Sequence, residues 1–229
     1  MTANFRFASP WLILLAAGCT TVNSPNGKTV TPTTSVTPAK SSASVDADAL
    51  SVLSDEDKKY ANFARQSAKA LDGDANEQFI LAGMHERGQG TPRSYTEAAK
   101  WYRLAADQGH AEAQFYLGAM YGSSRGVDRS FKAAVWWYSK SAAQGYRDAF
   151  FPMAFANEYG IGVPAMNLPV AVEWYLKSVD AGVWQAAERI GKAYKNGELG
   201  LAVDADKAKE WFTKSVALKA AASSAGSIK

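Results

Sequence analysis

Gly109 to Gly145, GHAEAQFYLGAMYGSSRGVDRSFKAAVWWYSKSAAQG, is one period of a repeat that the chain states once before and twice after. Aligned on their first glycines, GDANEQFILAGMHERGQG, GHAEAQFYLGAMYGSSRG and GYRDAFFPMAFANEYGIG begin at Gly73, Gly109 and Gly145, 36 residues apart. A fourth copy begins at Gly182, one residue late. In each copy a tryptophan follows the first glycine by 28 or 29 positions: Trp101, Trp137, Trp174 and Trp211. A period of this length predicts a solenoid of stacked units.

Within a unit two helical patterns are visible. Ala113, Leu117, Gly118 and Tyr121 recur at helical spacing in the first, and Ala98, Trp101, Tyr102, Ala105 and Ala106 in the second. Small residues at facing positions allow close helix approach, and the large aromatics fill the space between units. The glycine pairs 88/90, 122/126, 160/162 and 197/200 suit joints that need a positive φ. Ser94-Tyr95-Thr96-Glu97 reads as a capping box that opens a second helix. Ser54-Asp55-Glu56-Asp57 reads as the start of an earlier helix running to about Leu71. It aligns with a second helix but carries Arg65 and Gln66 in place of the aromatics, as expected of a polar N-terminal cap.

The motifs LGxxY (Leu117, Gly118, Tyr121), GxGV (Gly160, Ile161, Gly162, Val163) and KAxxWYxxAAxxG (Lys132, Ala133, Trp137, Tyr138, Ala142, Ala143, Gly145) resemble the Sel-like repeat family, a relative of the tetratricopeptide repeat. The resemblance implies an all-α fold, an α/α superhelix (solenoid) of four helix pairs after an N-terminal capping helix. It also implies that first helices line a concave face that holds a protein partner. Two copies depart from the tyrosine of LGxxY, with His85 in the first and Asn157 in the third. The third also places Pro152 early in its first helix, which must then start late or kink.

Carried over from the tetratricopeptide pattern, the positions two and five residues either side of the LG leucine look into the groove. These are Phe79, Phe115, Phe151 and Glu188; Asn76, Glu112, Asp148 and Gln185; Gly83, Ala119, Phe155 and Lys192; and Glu86, Gly122, Glu158 and Lys195. The expected partner-binding set is therefore Phe79, Phe115, Phe151, Phe155 and Tyr159, with Glu86, Glu112, Asp148 and Glu158 near the centre and Lys192 and Lys195 at the C-terminal end. Aromatic anchors ringed by charge suit a protein loop carrying basic and apolar residues. The phenylalanine column is equally accounted for by bracing between units, and Phe155 is the sharper candidate. A second candidate surface lies on the last helix, at Phe212, Val216 and Leu218, because no polar capping helix follows it.

The N-terminal region reads as an address. Residues 1–18 carry one basic residue, Arg6, and an apolar run too short to span a bilayer, as in a secretory signal. Leu15-Ala16-Ala17-Gly18-Cys19 resembles the lipobox of bacterial lipoproteins, which implies cleavage before Cys19 and lipidation of that only cysteine. Thr20 beside it favours the outer membrane of a Gram-negative cell, facing the periplasm. Residues 19–50 are mostly Thr, Ser, Pro, Ala and Val and read as a disordered tether, on the order of 30 Å across as a coil. The remaining expected divisions are a capping helix over 51–72, repeats over 73–222 and a flexible tail over 223–229.

Charge and chemistry exclude more than they suggest. Without Arg6, 24 basic residues face 22 acidic ones, a balance that does not call for nucleic acid. Gly122-Ser123-Ser124-Arg125-Gly126 fits the G-x-S-x-G of hydrolases, but that motif works between a strand and a helix, and both flanks here are helical. The two histidines, 85 and 110, form no close pair, so no metal site, cofactor or catalytic residue is expected. No S-x-x-K stands in the chain to support a penicillin-recognising enzyme, and no Walker motif is present. The expected function is a non-catalytic interaction module anchored to the cell envelope. An immunity protein against a type VI secretion toxin such as a phospholipase is the alternative, and a hydrolase or penicillin-recognising enzyme the remote one. The partner is accordingly a toxin effector or a component of an envelope complex, with the membrane engaged through the lipid.

Overall fold

A polar residue at the head of each second helix does two jobs, and this sets the geometry of every unit. Its side chain caps the helix: Ser94 and Ser130 accept through Oγ from the amides of Glu97 and Ala133, and Asn167 and Asp204 accept through Oδ1 from those of Val170 and Lys207. Its own amide donates back to the first helix, from Ser94 to the His85 carbonyl, Ser130 to Tyr121, Asn167 to Asn157 and Asp204 to Tyr194, at 2.8 to 3.1 Å. The bond uses the backbone of the LGxxY tyrosine position, so histidine or asparagine serves there as well as tyrosine.

The computed structural model describes residues 54–226. Among them are nine α-helices and no strand. The cap is α1 (Asp55–Leu71), followed by α2 (Ala75–Arg87) and α3 (Tyr95–Asp107), α4 (Ala111–Ser123) and α5 (Phe131–Ala143), α6 (Phe150–Tyr159) and α7 (Leu168–Asp180), and α8 (Trp184–Asn196) and α9 (Ala205–Gly226). Each helix packs on its neighbours in the chain, giving four helix pairs in line behind the cap. The signal, Cys19 and the tether lie outside the described residues.

Pro152 acts as its chemistry requires. A single 3-10 turn, Arg147–Ala149, comes first, so α6 starts five residues after Gly145, whereas α4 starts two after Gly109. Proline then sits in the first helical turn, where its missing N–H leaves no hydrogen bond unmade.

The joints obey the positive-φ expectation with one change. Gly88, Gly160 and Gly197 end their first helices in the left-handed region. In the second unit that place belongs to Ser124, at φ 58°, while Gly122 stays inside α4. In the first three units glycine is needed at the second position for space: a Cβ on Gly126 would lie 2.1 Å from the Tyr95 carbonyl oxygen, and one on Gly162 2.3 Å from that of Phe131, whereas Gly200 in the fourth has open space around it.

Glutamines stitch the first units. Gln78 and Gln114 donate to the Ala70 and Ala106 carbonyls at the end of the preceding helix, and Gln108 and Gln144 donate in turn to their Oε1 atoms. The ladder stops at Phe150 and Ala187, which hold the same position in the later units. The cap joins it differently, since Gln66 donates to the Glu77 carbonyl and is half-buried rather than part of a polar outer face. At the other end α9 continues to Gly226, beyond the expected tail boundary, with the Ser223 and Ser224 hydroxyls bonded back to Lys219 and Ala221.

Candidate functional site

The residues expected to share one groove fall into different environments. Phe79 stacks on His110 at 4.7 Å and packs against Tyr102. Phe115 sits between Tyr138 and Tyr146, and Phe151 against Tyr175. All three phenylalanines are half-buried braces between helices. Phe155 and Tyr159 are different: they are 44% and 55% exposed, with ring centroids 4.6 Å apart on one side of α6.

The acids divide in the same way. Glu158 is buried, with Oε2 accepting from the Tyr175 hydroxyl at 2.6 Å and Oε1 from Arg189, which also reaches Glu198. Burial pushes the Glu158 carboxyl up, but hydrogen bonds from Arg189 and Tyr175, with the charge of Arg189, outweigh it and hold the group below its usual range. Glu158 is thus a clasp between the third and fourth units and not an open groove residue. Glu86 is a weaker clasp, accepting from the Tyr102 hydroxyl at 2.9 Å with Arg125 at 3.8 Å. Glu112 is half-buried and Asp148 exposed. Lys192 pairs with Glu188 at 2.7 Å, and Lys195 is exposed at the last unit.

Units one and three share a device that units two and four lack. In the former, Ala82 and Ala154 follow the LG leucine position, a glutamate stands four residues on, and the second-helix tyrosine donates to it. In the latter, the alanine is Gly118 or Gly191, the glutamate is Gly122 or Lys195, and the ring is Tyr138 or Phe212. The rings sit where an alanine would be: a Cβ on Gly118 would lie 2.9 Å from Tyr138 Cδ1, and one on Gly191 3.1 Å from Phe212 Cδ1. Glycine lets the ring drop onto the first helix, and the missing carboxylate leaves space beside it.

That space is a cavity of about 400 Å³ between the second and third units. Gly122, Ala134 and Tyr138 form its second-unit wall, and Phe151, Pro152, Phe155, Ala156 and Ile161 the other, with Phe131 and Val135 completing the lining. Phe131 and Phe155 are exposed at its edge. The Tyr138 hydroxyl has no hydrogen-bonding partner among the described residues, and burial pushes its pKa up to about 12, so it stays a neutral donor. An apolar pocket with one convergent polar group is suited to an aliphatic or aromatic side chain carried by a segment that offers an acceptor.

Of the positions expected to look into the groove, the structure brings Gly122, Phe151 and Phe155 to this cavity. The sequence reading passed over Tyr138, Phe131, Val135, Pro152 and Ile161. The signal for them was in the copies themselves, since Gly118 and Gly122 replace Ala82 and Glu86 together. Ser124 ends a helix in the left-handed region, with helices on both sides of its loop.

Comparison with known proteins agrees with this architecture. A structure described as a protective antigen of uropathogenic Escherichia coli displaying an SLR fold matches at 29% identity and a TM-score of 0.64, over 69% of this chain and 33% of its own. A Sel1 repeat protein from Oxalobacter formigenes matches at 26% identity and a TM-score of 0.57, over 68% of this chain and 62% of its own. The chain thus spans about a third of the first and under two thirds of the second. An immunity protein from Pseudomonas aeruginosa aligns at 16% identity and a TM-score of 0.38, over 71% of this chain and 81% of its own, too distant to bear on function. No curated protein matches the chain. The Sel1 repeat pattern matches residues 78–110, 111–146, 153–183 and 184–219, the same four helix pairs built above, and by that match the chain belongs to the Sel1 repeat family.

Proposed function

We propose that the chain is a non-catalytic interaction module of the bacterial cell envelope, whose protein partner inserts an apolar side chain between the second and third repeats. The Sel1 repeat fold is typical of protein–protein interaction modules, and the observation that carries the reading here is the cavity beside Gly122. It opens where a glutamate–tyrosine clasp is missing, and it is flanked by the exposed pair Phe155 and Tyr159. Exposed aromatics beside an apolar pocket provide the anchor-and-rim arrangement of an interaction hot spot. The lipobox-like Leu15 to Cys19 supports an outer-membrane lipoprotein facing the periplasm, tethered by the Ser/Thr/Pro-rich segment.

The test is a crosslinked pull-down of the full chain from its own envelope, with Phe155→Ala as the paired variant. One dominant protein captured by the parent and lost from the variant, at an unchanged melting temperature, is the expected result. A secreted toxin in that place assigns immunity, whereas an envelope component assigns an adaptor. Retention of the same partner by Phe155→Ala removes the cavity from the interface. For the anchor, Cys19→Ser should move the protein from the membrane to the soluble fraction, and continued membrane association refutes the lipobox reading.

A further inference from the structure

The last described helix presents a surface that its counterparts in the earlier units bury. Five residues after the second-helix tryptophan stand Ala106, Ala142 and Val179, with Ala70 as their counterpart in the cap. They are 2%, 7%, 3% and 0% exposed, and the fifth member of the column, Val216, is 68% exposed. In each covered case the next first helix closes over the position. Ala106 shares its core cluster with Ala113 and Leu117, Ala142 with Ala149 and Met153, and Val179 with Ala186 and Ile190. Over Ala106, Ala142 and Val179 the covering segment therefore presents one recurring chemistry, alanine and then a large apolar residue four positions on; over Ala70 the same positions are Glu77 and Leu81.

No helix follows α9 among the described residues. Its outer face instead borders an open groove of about 720 Å³, lined by Ala205, Ala208, Phe212, Val216 and Ala217. Two lysines, Lys195 and Lys209, edge it, and neither makes an ion pair among the described residues. The surface is thus mostly apolar, with two lysines outside any ion pair at its border.

We propose that the α9 face is a docking site for an amphipathic helix of a protein partner, which lies where the first helix of a fifth repeat would lie. Its recognition chemistry is an alanine followed four residues later by leucine, isoleucine or methionine, with an acidic side chain set toward Lys195 and Lys209. Three internal interfaces supply the template, and the two lysines supply the selectivity. A second copy of this chain is a poorer occupant, because its own alanine–aliphatic first helices are already used inside the array. The site is separate from the cavity at Gly122, so either can fail without the other.

A fluorescent peptide of residues 110–124, which carries Glu112, Ala113 and Leu117, serves as probe against the full chain in an anisotropy titration. Saturable binding is expected, weakened tenfold or more by Val216→Glu and severalfold by Lys209→Glu or raised salt, and unchanged by Gly122→Glu. A Leu117→Ser peptide should not bind. Val216→Ser, which adds no charge, provides a second variant should Val216→Glu lower the melting temperature. Absence of saturation, or equal affinity in the parent and both Val216 variants, overturns the proposal. So does a dimer in sedimentation that Val216→Ser dissolves, because the face would then be a self-association surface.

Discussion

Replacing Gly122 by glutamate should close the cavity and stabilise the fold in one step. The site has room: a Cβ there would meet only Ala134 Cβ at 3.9 Å and the Tyr138 hydroxyl at 4.0 Å. The new carboxylate would occupy the place that Glu86 and Glu158 hold beside Tyr102 and Tyr175. Leaving glycine inside a helix gains roughly 0.5 kcal/mol after glutamate's own propensity is counted. The charge-assisted bond to Tyr138 adds about 1.5 kcal/mol. An acid in the last turn of α4 opposes the helix dipole by about 0.5 kcal/mol. The sum is a gain of about 1.5 kcal/mol, or a rise in Tm of ~3–6 °C for a domain of this size. Thermal unfolding followed by circular dichroism measures it, with Gly122→Ala as the control that changes propensity alone. The same variant should lose the partner, since carboxylate and hydroxyl would fill the pocket. A Tm no higher than that of Gly122→Ala would refute the clasp, and partner capture at parental levels would refute the cavity as the binding site.

Three further outcomes test the packing. Trp137→Ala empties a buried core position and should destabilise by about 3–5 kcal/mol in denaturant unfolding. Ser124→Gly relieves a left-handed non-glycine residue and should stabilise by about 0.5–1 kcal/mol, whereas an unchanged or lower Tm would show that its φ is not strained. Glu158 is held below its ordinary value of 4.5, so its contribution is complete above that pH and is lost as pH falls through the lowered value. Glu158→Gln should therefore cost about 2 kcal/mol at neutral pH, less than a fully buried pair because Arg189 keeps some contact with water, and should flatten the acid limb of the Tm profile. Parallel profiles for the two proteins would remove Glu158 from the acid response.

The fold was legible because its determinants are periodic and local. The tryptophan spacing fixed the unit, Ser54 and Ser94 marked helix starts, and Pro152 delayed α6 for the reason its ring and missing amide require. The site was less legible because groove exposure depends on what a side chain meets across units. Glu158 stands at a nominal groove position, but Tyr175 and Arg189, 17 and 31 residues away, draw it inward. Phe155 has no such partner beyond Tyr159 and remains exposed. The capping box at Ser94 was half right: its hydroxyl caps Glu97, but the Glu97 carboxylate turns to Lys100 and the Ser94 amide goes to His85. The cavity itself came from two glycines read separately as joint and packing residues, when their joint replacement of an alanine and a glutamate was the informative event.

The amide-to-carbonyl tie between the two helices of each unit has an evolutionary consequence. Because the tie is made by main chain at residues 85, 121, 157 and 194, the side chains there hold histidine, tyrosine, asparagine and tyrosine without changing how the helices meet. Inheritance can therefore vary that column while the architecture stays constant. Each duplicated unit arrives with that tie already secured at its first helix by a carbonyl that every amino acid carries, and selection for a new partner can work on the side chains of that column.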